Sequence, residues 1–413
     1  MDKKFDVMLP FGREARDAMA EMYGVFDERV YEWAAKTWDP GNGGFYHTLT
    51  ARKTEGFLPD IESTKFVLAL IGDTGMACEY GGNYAKALPP EIGEKIVAFV
   101  NSLADPDGYY YHPQWGKIVK PSKKGRDMIW AQGILSHFEK EPIYPFATKQ
   151  MEEGKSASSL PEYFGSEKLL REYMEDIWAD GNSYVNGQTI SAQTSMIVAA
   201  GLSDVEEAFF NEKQCSENGL WEKEINYNSI SGLLKIGSAY NTMKKPIPNW
   251  ECTLESAISY VISDDTPHAL TGAYNAVQSI DRIITNLRVT GREEKVAYVE
   301  ELVRANAAAI IKATKRRIEK FRREDGAFSY FTDTCCPSIQ GCPASTAKLP
   351  ESDTDGMMLA VNACMGICEL LGVPRIPMFD GSDMKKFNEL LLTVEPVVKT
   401  EPRPSDEVMR IKL

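Results

Sequence analysis

Acidic, imidazole and indole side chains recur in short clusters along this chain, each cluster close to the start of an apolar run. Trp38, Tyr46 and His47 precede Asp60 and Glu62, and Tyr111, His112 and Trp115 precede Arg126 and Trp130. Trp221 and Glu222 stand before Glu224 and Tyr227, and Tyr330 and Asp333 before Asp353 and Asp355. Hydrolysis of a glycosidic bond asks for such a set. Two carboxyl groups must flank the bond, one kept protonated as the acid and the other acting as base or nucleophile. The candidate catalytic groups are His112, Glu222, Asp353 and Asp60. The candidate substrate-binding side chains are Trp38, Tyr46, His47, Tyr111, Trp115, Arg126, Trp130, Trp221, Tyr227 and Tyr330, which offer aromatic faces and polar groups to a sugar. A lyase acting on a uronate would need a Tyr or His base and a group that neutralises the carboxylate, for which Tyr111, His112 and Arg126 are available.

Several of these residues have an equally good structural role. Asp60 follows Pro59 at the head of an apolar run, where a helix cap belongs, and Asp355 is placed alike. Glu222 and Glu224 alternate after Trp221, so in an extended segment at most one of them faces inward. Trp115 and Trp221 fit a core as well as a sugar platform. The segment 333–352 holds Cys335, Cys336 and Cys342. It lacks a CxxC spacing, and adjacent cysteines seldom both ligate one tetrahedral ion, so it reads as a loop beside the pocket rather than a metal site. There is no Walker loop, GxGxxG, HExxH or GxSxG, which removes the motif basis for nucleotide-dependent, zincin and serine-hydrolase chemistry. No organic cofactor and no metal are expected.

The elements that would position these groups follow from a repeat. A Gly-containing turn flanked by aromatics recurs at Asn42-Gly43-Gly44-Phe45-Tyr46, Asp107-Gly108-Tyr109-Tyr110, Asp180-Gly181-Asn182-Ser183-Tyr184, Asn218-Gly219-Leu220-Trp221 and Asp325-Gly326-Ala327-Phe328. Apolar helices rich in Ala, Gly and Ser are expected at 60–71, 127–135, 191–200, 229–236, 269–285 and 355–365. They are apolar nearly all round, as buried helices are. Amphipathic, charged helices are expected at 13–36 and 293–323. Two kinds of helix in alternation predict an inner ring shielded by an outer one. The expectation is therefore an all-α chain, with residues 1–395 forming one closed (α/α)6-type barrel around a central pocket. The stretch 139–161 reads as a loop, and 396–413 as an extended tail.

The stretch GGFYHTLTARKTEGFLPDIESTKFVLALI resembles a repeat of the alpha-alpha toroids, a superfamily that includes terpenoid cyclases, protein prenyltransferases and the (α/α)6 barrels of glycoside hydrolases and polysaccharide lyases. The resemblance covers about residues 13–372 and implies fold more than function. It also implies a pocket lined by the N-termini of inner helices. Two sharper motifs of that superfamily are missing. The prenyltransferase zinc set needs a His downstream of Asp-x-Cys, whereas the last His here, His268, lies upstream of Asp333-Thr334-Cys335. The Asp-x-Asp-Asp of class II terpene cyclases is echoed only distantly by Glu351-Ser352-Asp353-Thr354-Asp355.

The net charge of −14 disfavours nucleic acid as a partner. Lys315-Arg316-Arg317 and Arg322-Arg323 are expected on a solvated helix face. Apolar runs such as FVLALI fall well short of the ~20 residues that cross a bilayer. The N-terminus shows no signal-peptide pattern. A cytoplasmic protein with its 8 cysteines reduced is expected. The expected activity is cleavage of a glycosidic bond in a small oligosaccharide, neutral or acidic, as hydrolase or lyase, with no membrane and no nucleic-acid partner. The rival readings are a terpenoid-cyclase or prenyltransferase-like enzyme on an apolar substrate, and a non-catalytic toroid that binds a ligand or another protein.

Overall fold

Four of the five Gly-containing turns form one structural motif, while Gly181 instead closes the short helix Trp178–Asp180. At the first, Asp39 N–H donates to Gly44 O, Gly43 N–H donates back to Asp39 O (both 2.8 Å), and Trp38 bridges Phe45 in antiparallel fashion. The same pairing returns where Asp105 meets Tyr109 and Arg323 meets Ala327, with bridges Ala104–Tyr110 and Arg322–Phe328. Cys215 and Leu220 make a fourth copy through main-chain hydrogen bonds. Glycine is required at Gly43, whose φ is 84° and where a Cβ would lie 2.3 Å from the Lys95 carbonyl oxygen.

The protein is seen in a computed structural model that describes residues 2–152 and 162–401. The expected loop at 139–161 thus lies partly, and the expected tail at 396–413 mostly, outside the described residues. Helices make up 61% of the structure. Among the described residues the strands are a single antiparallel pair, Ser338–Ile339 with Cys342–Pro343. The all-α class is as the periodicity predicts. Among the described residues no helix is long and apolar enough to cross a membrane.

The chain forms two compact units. One comprises Met1–Tyr23, Ser159–Ile318 and Asn362–Arg375; the other comprises Gly24–Ser158, Glu319–Val361 and Ile376–Leu413. In the first, the helix Tyr227–Met243 packs against Ser183–Ser191 on one side and Thr271–Val289 on the other. Its Gly232 lets Ser183 approach so closely that a Cβ would meet the Ser183 hydroxyl at 2.2 Å. Cys364 and Cys368 are buried in this unit, as their apolar spacing suggests. In the second, Pro121–His137 packs against Ile61–Asp73 and Pro90–Ser102. At its edge, Thr400 N–H donates to Lys53 O (3.0 Å) and Glu55 N–H to Thr400 O (2.9 Å), forming a parallel bridge.

Some boundaries differ from the periodicity, each for a local reason. The charged stretch 13–36 is two helices, Arg13–Tyr23 and Arg29–Lys36, broken at Gly24. The stretch 293–323 breaks at Asn306 into Glu293–Ala305 and Ala307–Glu319. The helix expected from residue 127 starts six residues earlier, at Pro121, a residue suited to the first turn. The expected solvated face at 315–317 needs correction. Arg317 is 2% exposed. Its guanidinium donates to the main-chain oxygens of Tyr260 and Val261 (2.7 Å each) and Asp265 (3.0 Å), closing the C-terminal end of Trp250–Ile262. Arg322 pairs with Asp27 at 2.6 Å, and Arg323 donates to Ser329 Oγ at 2.7 Å.

Glu206, in the first unit, is fully buried. Its Oε1 accepts from Thr194 Oγ1 at 2.7 Å and its Oε2 has no partner. Burial pushes its carboxyl up to about 7. The folded state therefore holds a proton that the unfolded chain releases near its ordinary 4.5. The stability this proton contributes is full below about pH 4.5 and falls away as pH rises to about 7, by on the order of 2–4 kcal/mol. Chemical denaturation of the wild type and Glu206→Gln across pH 4.5–8 is expected to show a steeper decline in the wild type than in the variant, whose other buried carboxyls still titrate in this range.

Candidate active site

Asp60, Glu62 and the helix they open make the first wall. Asp60 Oδ1 accepts from Ser63 N–H at 2.9 Å, the N-cap that its place after Pro59 suggests. Its backbone bridges Phe45, which ties the helix start to the first Gly turn. Two residues on, Glu62 is 1% exposed and meets two cations, Lys123 Nζ at 3.2 Å and Arg126 Nε at 2.6 Å. Lys123, fully buried, also donates to Asp127 Oδ1 at 2.7 Å. The spacing 123, 126, 127 sets these three side chains on one face of Pro121–His137.

The second wall is the start of helix Thr354–Leu370 and the segment before it. Asp353, fully buried, accepts three main-chain N–H bonds, from Tyr330 (2.8 Å), Cys336 (2.9 Å) and Gly356 (2.7 Å). It staples the 330–336 segment to the helix. Glu351 accepts from Thr50 N–H at 3.1 Å in the first turn of the short helix Leu49–Lys53. Asp355 Oδ1, like Glu351 Oε1, is buried and has no hydrogen-bond partner; Asp355 differs from Glu351 in facing Glu62 and Arg126.

The two imidazoles are held by the scaffold. His112 Nε2 donates to Pro59 O at 2.9 Å while its Nδ1 accepts from Gln114 N–H at 3.3 Å. His47 Nε2 donates to Cys336 O at 3.0 Å, since a carbonyl only accepts, and that leaves Nδ1 to accept from Thr354 Oγ1 at 2.8 Å. Burial pushes His112 down to about 4 and also lowers His47. Both rings are neutral posts at ordinary pH, with both nitrogens engaged. Trp115 stacks on His112 with ring centroids 4.1 Å apart, and Lys123 Nζ lies 4.9 Å from its ring centroid. Its indole N–H donates to Pro343 O at 2.7 Å.

Charge cannot balance here if every acid ionises. Lys123 and Arg126 stand among Asp60, Glu62, Asp127, Asp353 and Asp355. Burial would lower Lys123, but Asp127, Glu62 and Asp60 outweigh it and hold its ammonium above the usual range. Burial pushes Asp127 up to about 7 against the pull of Lys123, and Asp353 up to about 7 against its three N–H donors. Asp60 is raised by burial as well. Asp355 is raised well above the carboxylate range by burial first and the Glu62 charge next. The arrangement thus holds a proton on a buried acid beside a carboxylate tied to two cations, which is a division of labour that acid–base chemistry uses.

Of the residues the sequence nominates, Asp60, Asp353, His47, His112, Trp115 and Arg126 come together here with Trp130, whose ring carries the Arg126 guanidinium 5.5 Å from its centroid. Tyr330 contributes its backbone N–H to Asp353. Tyr111 lies at the edge of this unit with its hydroxyl on Asp107 at 2.6 Å. Trp38 and Tyr46 are core residues, Trp38 against Phe45 and Tyr46 with its hydroxyl on Asp39 at 2.8 Å. Glu222, Trp221 and Tyr227 belong to the other unit. Glu222 accepts from Ser183 N–H and Oγ (2.8 and 2.7 Å), Trp221 donates to Phe210 O (2.8 Å), and the Tyr227 hydroxyl meets Thr271 Oγ1 (2.6 Å). Lys123 and Asp127 are the groups sequence reasoning missed. Pro121 followed by Lys and Asp four apart was the available signal. Among the described residues no group of His, Cys, Asp and Glu is arranged to hold a metal ion.

Comparison with protein-family models, with curated proteins and with solved structures found no match.

Removing the shared cation leaves buried carboxylates uncompensated. Lys123→Met is expected to cost about 3–5 kcal/mol of stability at pH 7. The deficit should shrink toward pH 4.5, where the carboxyls take up protons instead. Urea titrations at the two pH values measure both.

Proposed function

We propose that this chain hydrolyses a glycosidic bond in a small oligosaccharide, on the toroid-type helical scaffold that its repeats resemble. Asp355 gives its proton to the leaving oxygen as the glycosidic bond breaks, with Glu62 supporting the positive charge on the sugar ring; water then adds to the anomeric carbon and its proton returns to the Asp355 carboxylate. The observation that carries this reading is Asp355 itself. It is a buried acid with one oxygen lacking a partner, kept protonated beside a carboxylate.

Asp353, Asp60 and His112 act as supports, held by capping and backbone hydrogen bonds; Glu62 is engaged as well, but by two cations rather than by the backbone. Hydrolysis is favoured over β-elimination because both ring nitrogens of His112 and His47 are engaged and the Tyr111 hydroxyl donates to Asp107. The charged lining also weighs against an isoprenoid chain. Seating hydrocarbon against Glu62, Lys123 and Arg126 would strip water from ions without replacing its hydrogen bonds.

A proton donor matters most when the leaving group is poor. Asp355→Asn is expected to lower kcat by about 10²–10⁴-fold on oligosaccharides. The loss should be much smaller on nitrophenyl glycosides, whose leaving group needs little protonation. The alkaline limb of the pH–rate profile should disappear with the carboxyl. Absence of turnover by the wild type on a broad glycoside panel, or equal losses for both leaving groups, would remove Asp355 from this role.

A further inference from the structure

Arg126 is held on two sides and open on a third. Its Nε is fixed to Glu62 at 2.6 Å, and its guanidinium lies over Trp130, 5.5 Å from the ring centroid. Trp130 is itself braced edge-on by Phe66 at 6.1 Å. Among the described residues, no hydrogen bond engages the two terminal nitrogens of Arg126. Its side chain is 37% exposed, whereas Glu62 beneath it is 1% exposed. Arg317, Arg322 and Arg323 behave differently, each donating from a terminal nitrogen to a carbonyl or carboxylate.

Two further polar atoms near this fork lack partners. The indole N–H of Trp130 is buried with no acceptor, and Asp355 Oδ1 is buried with no donor. Lys123 gives Glu62 a second cation, so Glu62 does not by itself neutralise Arg126. A guanidinium immobilised through Nε presents its remaining N–H groups in one plane. That geometry matches two oxygens of one anionic group, which a carboxylate or a sulfate can offer.

We propose that the substrate is an acidic sugar, and that the terminal nitrogens of Arg126 grip the carboxylate of a uronic acid residue as a bidentate pair. The proposal rests on the carbohydrate reading above and adds the substrate class. Arg126 is then the residue that sets specificity, with Trp130 keeping the fork in plane. Glu62 orients the fork from behind.

The test is calorimetric titration of the full chain with glucuronate and galacturonate, against glucose, galactose and glucose 6-sulfate. The uronates are expected to bind at least about tenfold more tightly than their neutral parents, since a charge-assisted bidentate pair is lost in the neutral sugars. Arg126→Lys keeps a cation for Glu62 but lacks the fork, and should lose most of the preference. Arg126→Met should abolish it, with thermal melts confirming that each variant is folded. Equal binding of uronates and neutral sugars, or a preference that survives in folded Arg126→Met, overturns the assignment. Binding of glucose 6-sulfate as tight as that of glucuronate overturns the choice of a carboxylate. Selective uronate binding with no cleavage of any uronide would sink the hydrolase reading and leave Arg126 in place. Cleavage of neutral glycosides with no uronide preference would do the reverse.

Discussion

One buried ammonium organises the site. Lys123, with none of its surface exposed, sits between Glu62 on one helix and Asp127 on its own. Carboxylates this deep are tolerable only with a counter-charge and hydrogen bonds at hand. Lys123 and Arg126 supply them for some of the acids but not for all. The remainder of the imbalance is met by protons, and Asp355, with a bare oxygen beside Glu62, is one place where a proton is favoured. The raised carboxyls here are thus a consequence of incomplete neutralisation. A fully paired cluster would be more stable and inert.

The supports around that cluster are mostly helix caps. Asp60 caps one helix, Asp353 binds the first turn of another, and Glu351 takes an N–H from a third. Each leaves its carboxyl close to helix N-termini, where the backbone favours negative charge. The two neutral histidines then fix spacing: His112 holds the 109–115 loop to Pro59, and His47 joins the first repeat to the segment around Cys336 and Thr354. Capping carboxyls and ion-paired carboxyls therefore stand close together, told apart by their partners rather than by residue type.

That difference explains what could be read from the chain and what could not. The Gly-turn repeat and most of the apolar helices were legible, because a positive φ and an all-round apolar stretch leave marks on composition; the stretch 191–200 was not, since it breaks at Ala192-Gln193 and exposes Met196 and Val198. The capping role of Asp60 was legible from Pro59 and the run that follows. Lys123 was hidden, since a lysine in a stretch as basic as Lys120-Pro-Ser-Lys-Lys-Gly-Arg126 looks like solvated surface. Its burial depends on Glu62, 61 residues away. Glu222 looked as reactive as Glu62, but Ser183 engages it. Arg317 was hidden for the same reason, its partners being the open end of a distant helix.

The hydrogen bonds that assemble this bed span most of the polypeptide. His47 meets Thr354 across 307 positions, and Lys399 reaches the Phe57 carbonyl across 342. During synthesis the loop carrying His47 and Asp60 emerges early but has to wait for residues near 353–400 before its partners exist. Contacts of such long range form slowly and late. A growing or truncated chain can therefore build the early helices and Gly turns, yet the acid cluster remains open to water until translation is nearly finished. Closure of the acid cluster would then be the last step in assembling this unit.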